Sequence, residues 1–251
     1  MSPTSRETVQ VYPDADALTL AAALDFVLLA QAAVAERGVF TVALSGGSTP
    51  KRLFTMLADE AQGALAAPWE HIHCFFGDER HVGPEHADSN FRMANEALLS
   101  RIAIPAENIH RIRAENPDAA QAAAEYETEL RAFFEPRGLV LNGFPRFDLI
   151  LLGMGPDGHT ASLFPGSTAL EEKQRWVVST WVEKFKTDRI TLTYPAINHA
   201  AKISLFVAGA DKAPMIHEVL VEYKDAPRYP VQFVQPVDGE KLWLLDTAAR
   251  G

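Results

Sequence analysis

Residues 147–152, Phe-Asp-Leu-Ile-Leu-Leu, form a short apolar run broken only by Asp148, and the run passes without a spacer into Gly153-Met154-Gly155-Pro156-Asp157-Gly158-His159-Thr160. A strand that is apolar on both faces must be covered on both, which is the situation of a strand inside a parallel sheet flanked by helices. Such sheets carry their ligands at the carboxyl ends of the strands, so Asp157 and His159 are expected at a ligand-bearing edge. Gly153, Gly155 and Gly158 let the turn adopt positive φ values and bring main-chain N–H groups close to a ligand.

The rest of the chain repeats this alternation. Strand-like runs at 39–44, 71–76, 190–193, 203–208 and 241–246 are interleaved with helix-like segments at 51–65, 90–99 and 213–221, and the run at 147–152 is expected to lead through its turn into a short helix. This order predicts an α/β fold, a mostly parallel sheet with helices on both faces, Rossmann-like in kind. Residues 15–35 are apolar enough to approach a bilayer span. Asp25 and Gln31 interrupt them, however, and Leu18, Ala22, Phe26, Leu29 and Ala33 recur at helical spacing, so they are read as a helix packed on a soluble sheet. The Ala/Glu-rich stretch 117–134 reads as one long surface helix, with Ala120, Ala123, Ala124, Glu127 and Leu130 near helical register. The loops at 138–145 and 224–235 lack linker composition, so residues 1–251 are expected to form a single domain.

The chain has 23 Lys and Arg against 33 Asp and Glu, a net charge of -10. Nucleic acid is therefore not an expected partner, and any anionic ligand has to be met by local positive charge. The single cysteine, Cys74, rules out an intramolecular disulfide, and its apolar run at 71–76 predicts a buried thiol in a reducing compartment. The N-terminal residues have no basic region leading into an apolar stretch. A cytoplasmic monomer with no membrane partner is the expectation.

Three further segments carry candidate chemistry. Leu44-Ser45-Gly46-Gly47-Ser48-Thr49-Pro50 follows a strand and opens a helix, with Thr49 as the expected N-cap and Pro50 at the first helical position. Free N–H groups, two glycines and the hydroxyls of Ser45, Ser48 and Thr49 can cradle a phosphate at the positive end of the helix. Neither a Walker A ending nor the dinucleotide spacing is present, so a nucleotide is not indicated. Gly77-Asp78-Glu79-Arg80 ends the next strand and opens on the same edge. There Arg80 can bind phosphate or a developing oxyanion, and Asp78 can take hydroxyl hydrogen bonds or act as a base. Lys184, Lys186 and Arg189 precede the run at 190–193, and Gly209-Ala210-Asp211-Lys212 ends another strand. Lys212 is the stronger anion candidate because of its strand-to-helix context, and Arg189 is next.

The remaining histidines form no metal signature, and no Gly-x-Ser-x-Gly elbow marks a serine hydrolase. Asp88-Ser89-Asn90-Phe91-Arg92 reads as a helix start, and Ser162 is read as a helix-start hydroxyl.

Taken together, the segments at 44–50 and 76–80, the run Gly153-Met154-Gly155-Pro156-Asp157-Gly158-His159-Thr160-Ala161-Ser162-Leu163-Phe164-Pro165, and the segments at 189–193 and 209–212 closely resemble the 6-phosphogluconolactonase family. The resemblance covers most of the chain. It implies hydrolysis of 6-phospho-D-glucono-1,5-lactone, the second step of the oxidative pentose phosphate pathway, without a required cofactor, on a fold shared with glucosamine-6-phosphate deaminase. Those deaminases typically continue the Asp-Gly-His turn into Asn-Glu-Pro, and their glutamate is catalytic. This chain has Leu163-Phe164-Pro165 instead, and phenylalanine cannot shuttle a proton.

For a lactone, the site has to orient water, take its proton and stabilise negative charge on the former carbonyl oxygen. His159 is the expected general base, since a histidine side chain ordinarily titrates near working pH. Asp157 or Asp78 orients it or holds sugar hydroxyls. Arg80 and the N–H groups of the turn meet the oxyanion, while Ser45, Gly46, Gly47, Ser48, Thr49, Arg189 and Lys212 surround the 6-phosphate.

Overall fold

A computed structural model of the chain describes residues 6–59, 66–223 and 228–251. In chain order it contains β1 (Arg6–Tyr12), α1 (Ala15–Arg37), β2 (Phe40–Leu44), α2 (Ser48–Asp59), β3 (Ile72–Phe76), β4 (Asp78–Arg80), α3 (Asn90–Ala97), α4 (Ala119–Phe134), β5 (Val140–Leu141) and β6 (Phe144–Pro145). There follow β7 (Leu149–Leu152), β8 (Val177–Val182), β9 (Thr187–Leu192), α5 (Tyr194–Asn198), β10 (Lys202–Val207), α6 (Ala213–His217), β11 (Glu240–Asp246) and α7 (Thr247–Arg250).

Six strands form a wholly parallel sheet in the order β1-β11-β10-β7-β2-β3. Every residue of β2 and β7 is buried, as continuous apolar runs covered on both faces must be. Asp148, the polar break just before β7, is explained by its partners. Its carboxylate accepts from the Thr41 N–H at 2.8 Å and the Thr41 hydroxyl at 2.9 Å, and it pairs with Arg37. Burial pushes this carboxyl up against the opposing pull of Thr41 and Arg37.

Helices cover both faces. On one, Phe26 of α1 meets Phe40 and Trp69; on the other, Phe133 and Phe134 of α4 meet Phe75 and Phe147. Cys74 lies fully buried within β3, and burial pushes its thiol up to about 12. Helix α1 has the length and apolar character to cross a membrane. Here Leu18, Ala22, Phe26 and Ala33 are buried, while Leu20, Leu24 and Leu28 lie exposed on its outer side.

Several sequence expectations need correction. The run at 190–193 belongs not to the parallel sheet but to a separate antiparallel one, ordered β4-β9-β8. No helix follows β7 directly; the chain continues through turns to a short 3-10 helix at Thr168–Glu171. Helix α4 is less of a surface helix than its composition suggests. It buries Ala119, Ala122, Ala123, Tyr126, Leu130, Phe133 and Phe134, and Ala120, Ala124 and Glu127 fall off that face. The loop at 138–145 contains a two-stranded hairpin whose turn uses Asn142 and Gly143 at positive φ, the Asn-Gly signature of such turns. The end of the helix expected at 51–65 and the start of the loop expected at 224–235 lie outside the described residues.

Candidate active site

Crossing the sheet, β2 leads to β3 on one side, whereas β7 leads to β10 and β11 on the other. The reversal between β2 and β7 opens a crevice at their carboxyl ends, where sheets of this class bind ligands. The loops after β2, β7 and β10, together with β4, line one cleft of about 320 Å³ there.

The first wall is the loop after β2. Gly47 has φ 110°, and the Lys51 N–H donates to its carbonyl at 3.1 Å. Gly47 is therefore the residue that leads into the helix, and Thr49 and Pro50 lie inside the first turn rather than at the cap. Ser45, Gly46, Gly47, Ser48 and Thr49 all line the cleft. The Ser45 hydroxyl is buried and has no hydrogen-bond partner among the described residues. A buried hydroxyl in this condition is costly unless a ligand engages it. Gly46 is required here by close approach, because a Cβ would lie 1.9 Å from Asn90 Oδ1.

The second wall is β4, whose consecutive side chains point to opposite sides. Asp78 faces the cleft, where its Oδ2 accepts from the Ser162 hydroxyl at 2.6 Å and its Oδ1 from the Asn90 amide at 3.2 Å. Glu79 faces inward and accepts from the Arg80, Asn90 and Phe91 N–H groups and from the Ser89 hydroxyl, pinning the start of α3 to β4. Burial raises the Glu79 carboxyl above its usual range despite these donors. Of Asp88 and Ser89, either of which could cap α3 by sequence, it is Ser89 that does so, accepting from the Arg92 N–H at 3.1 Å. Arg80 lines the cleft, and its guanidinium donates to the Asp88 carbonyl at 2.5 Å.

The third wall is the glycine-rich turn after β7. His159 lines the cleft, and its Nδ1 is hydrogen-bonded to Asp157 Oδ1. Since the carboxylate accepts, Nδ1 carries the hydrogen, and in the neutral imidazole it is Nε2 that has the lone pair. The Asp157 carboxyl is half-buried, which raises it, but His159 and Lys184 outweigh that and hold it below its ordinary value. One face of the imidazole stacks on Phe164 at 4.0 Å between ring centres. Gly155 leaves room for the ring, because a Cβ there would come within 2.1 Å of it. The turn is closed by the Gly155 N–H donating to the His159 carbonyl at 2.9 Å and the Thr160 hydroxyl donating to the Gly153 carbonyl at 2.8 Å.

Lys212 completes the cleft from the loop after β10, with Asp211 at 3.3 Å. The structure thus brings Ser45, Gly46, Gly47, Ser48, Thr49, Asp78, Arg80, His159 and Lys212 to one cavity. Asp157 stands behind His159 and does not line it. Nor does Arg189, which lies opposite Arg80 in the β4–β9 pairing, under the ring of Phe185 at 5.2 Å. Its Nε is buried with no partner among the described residues. Lys186 pairs with Glu183.

Sequence reasoning missed two residues. Asn90, read only as part of a helix start, lines the cleft and holds Asp78. Ser162 starts no helix; it donates to Asp78 from the turn after β7. Nothing in the sequence near Ser162 identifies a partner 84 residues away.

Comparison with known proteins gives a consistent result. Residues 13–243 match the family model described as glucosamine-6-phosphate isomerases/6-phosphogluconolactonase. A 6-phosphogluconolactonase from Nostoc sp. is 47% identical over 245 residues, covering 97% of both chains. The crystal structure of 6-phosphogluconolactonase from Thermotoga maritima superposes with a TM-score of 0.79 at 30% identity, covering 97% of this chain and 100% of that one. A monomeric glucosamine-6-phosphate deaminase shares the fold at a TM-score of 0.77 and 16% identity, covering 98% of both chains.

Proposed function

The chain belongs to the glucosamine-6-phosphate isomerase/6-phosphogluconolactonase family, and from that premise we propose that it is the lactonase, a hydrolase opening 6-phospho-D-glucono-1,5-lactone to 6-phospho-D-gluconate in the oxidative pentose phosphate pathway. The observation that carries this reading is His159, backed by Asp157 and lining a cleft whose facing wall is a glycine loop at a helix N-terminus. One side offers a base and the other an anion cradle, and a phosphorylated lactone needs both. Where deaminases of this fold carry a glutamate, Phe164 packs flat on the imidazole, and it has no proton to give.

In the proposed reaction, water attacks the lactone carbonyl carbon while His159 Nε2 takes one of its protons. The carbonyl π electrons move onto oxygen, where Arg80 and N–H groups of the turn stabilise the charge. As the C–O double bond re-forms, the bond to the ring oxygen breaks and the imidazolium returns its proton to that oxygen. Asp157 fixes the ring in the tautomer that leaves Nε2 basic. Asp78, held by Ser162 and Asn90, is placed to receive a substrate hydroxyl. The 6-phosphate is taken by residues 45–49 and Lys212, with Arg189 as the further cation.

The net charge of -10 argues against a nucleic-acid partner and the packing of α1 on the sheet against a membrane span, and the reading is completed by a cytoplasmic, single-domain, monomeric enzyme. The test is lactone disappearance near pH 7 against the spontaneous background, with ammonia release from glucosamine 6-phosphate run in parallel. Lactone turnover without ammonia is expected; ammonia without lactone turnover would overturn the assignment.

A further inference from the structure

We propose that Lys184 is a positioning residue for the His159–Asp157 pair, reaching it from the turn that joins β8 to β9. The inference rests on the reading of His159 as the base. It gives a role to a side chain that does not line the cleft and that comes from the smaller, antiparallel sheet.

The two oxygens of Asp157 are divided between two partners. Oδ1 engages the imidazole Nδ1 and, at 3.4 Å, the His159 N–H, whereas Oδ2 lies 3.4 Å from the Lys184 ammonium. Asp157 stands on a glycine-rich turn, where a carboxylate held at one oxygen is still free to swing its plane. Holding the second oxygen fixes that plane, and with it the direction in which Oδ1 presents itself to the ring. The Lys184 side chain is 54% accessible, so the ion pair contributes little to stability. Its worth lies in orientation.

The turn that carries Lys184 is itself anchored on the site. The Phe185 N–H donates to the Val182 carbonyl at 3.0 Å, and the Phe185 ring meets Phe164 edge-on at 5.9 Å. Phe164 in turn stacks on His159. The chain then takes positive φ at Lys186, whose ammonium pairs with Glu183. Of the two lysines in the turn, only Lys184 meets the catalytic pair.

The ammonium also offsets the charge of Asp157 beside the imidazole. Other titratable or charged groups around the pair include Asp78 and Arg80 on β4, Arg189 beneath Phe185 on β9, Asp211 and Lys212 across the cleft, and Tyr229, which packs on Gly158 and is bonded to Glu218. Removing Lys184 leaves Asp157 uncompensated, which favours the imidazolium and moves the acid limb of the pH profile to higher pH.

The experiment is steady-state kinetics across pH for K184M, K184Q and K184R, with K186A and H159A alongside. For K184M and K184Q, kcat is expected to fall about tenfold through misorientation, with KM within about twofold. Their acid limb should rise by about half a pH unit. K184R should recover most of both effects, and K186A should behave as wild type. A raised KM with unchanged kcat and pH profile would make Lys184 a phosphate ligand and overturn the proposal. Wild-type behaviour of K184M and K184Q beside an inactive H159A would remove Lys184 while leaving the base assignment standing. An active H159A would remove both.

Discussion

Arg80 and Arg189 stand directly opposite each other in the antiparallel pairing of β4 with β9. Like charges in this register repel. Burial first, and then Arg80, weaken the hold of Arg189 on its proton, while Asp78, Asp88 and Glu79 act the other way. In the proposed reaction the repulsion is relieved when substrate brings negative charge to the site, at the oxyanion for Arg80 and at the 6-phosphate for Arg189.

Arg189→Ala is therefore expected to raise KM for the phosphorylated lactone about 10- to 100-fold, the worth of a hydrogen bond to a charged group, with little change in kcat. Inorganic phosphate should raise the melting temperature of the wild type more than that of the variant. A fall in kcat at constant KM would move Arg189 from the phosphate to the oxyanion.

His159→Ala should lower kcat by about 10²- to 10⁴-fold, the usual contribution of a general base, with modest change in KM. Single-turnover measurement above the spontaneous rate checks this. Near-normal turnover would take His159 out of the mechanism.

Asp157 gives a prediction with a definite sign. Its carboxyl is held below its ordinary value in the folded protein, net of the burial that works against its charge. The stabilisation it supplies is therefore fully present above the ordinary carboxylate range and is lost as pH falls through the depressed value. Asp157→Asn should melt below the wild type at pH 7, and the gap should close as pH is taken below about 4. A gap that widens on acidification would contradict the assignment.

Glu79 accepts from four donors and donates to none. Glu79→Gln turns one acceptor into a donor facing donors, which should cost about 1–3 kcal/mol in urea unfolding. Because α3 carries Asn90 into the cleft, kcat/KM should fall as well. An unchanged unfolding midpoint would show that the start of α3 is held by other means.

The fold was legible where its signals are local. The apolar runs of β2, β3, β7, β10 and β11, the glycine turn and the loop at 45–49 announce themselves within a few residues. The mostly exposed strand β1 went unread because it lacks a clean apolar face, with Arg6, Glu7, Val9 and Val11 all exposed. The strand character of 190–193 was visible, but its partners β4 and β8 were not, since alternation marks a strand without naming its neighbour. The site divides the same way. His159, Asp157, Asp78 and Arg80 stand out by residue type and spacing. Ser162 and Asn90 are ordinary residues whose importance arises only when the turn after β7 and the start of α3 converge on Asp78.

The pairing of β1 with β11 bears on how the chain is made. Strand β1 lies at the sheet edge with β11 as its partner in the sheet, and the Trp243 indole donates to Glu7 across 236 residues. Strand β1 is synthesised long before the strand it pairs with. Until residues 240–246 are available, β1 has no place in the sheet, and the apolar helix α1 lacks the part of its cover that β11 provides. Contacts of such sequence separation slow folding and prolong that exposure. The demand on chaperones should thus fall in the interval between the synthesis of β1 and that of β11.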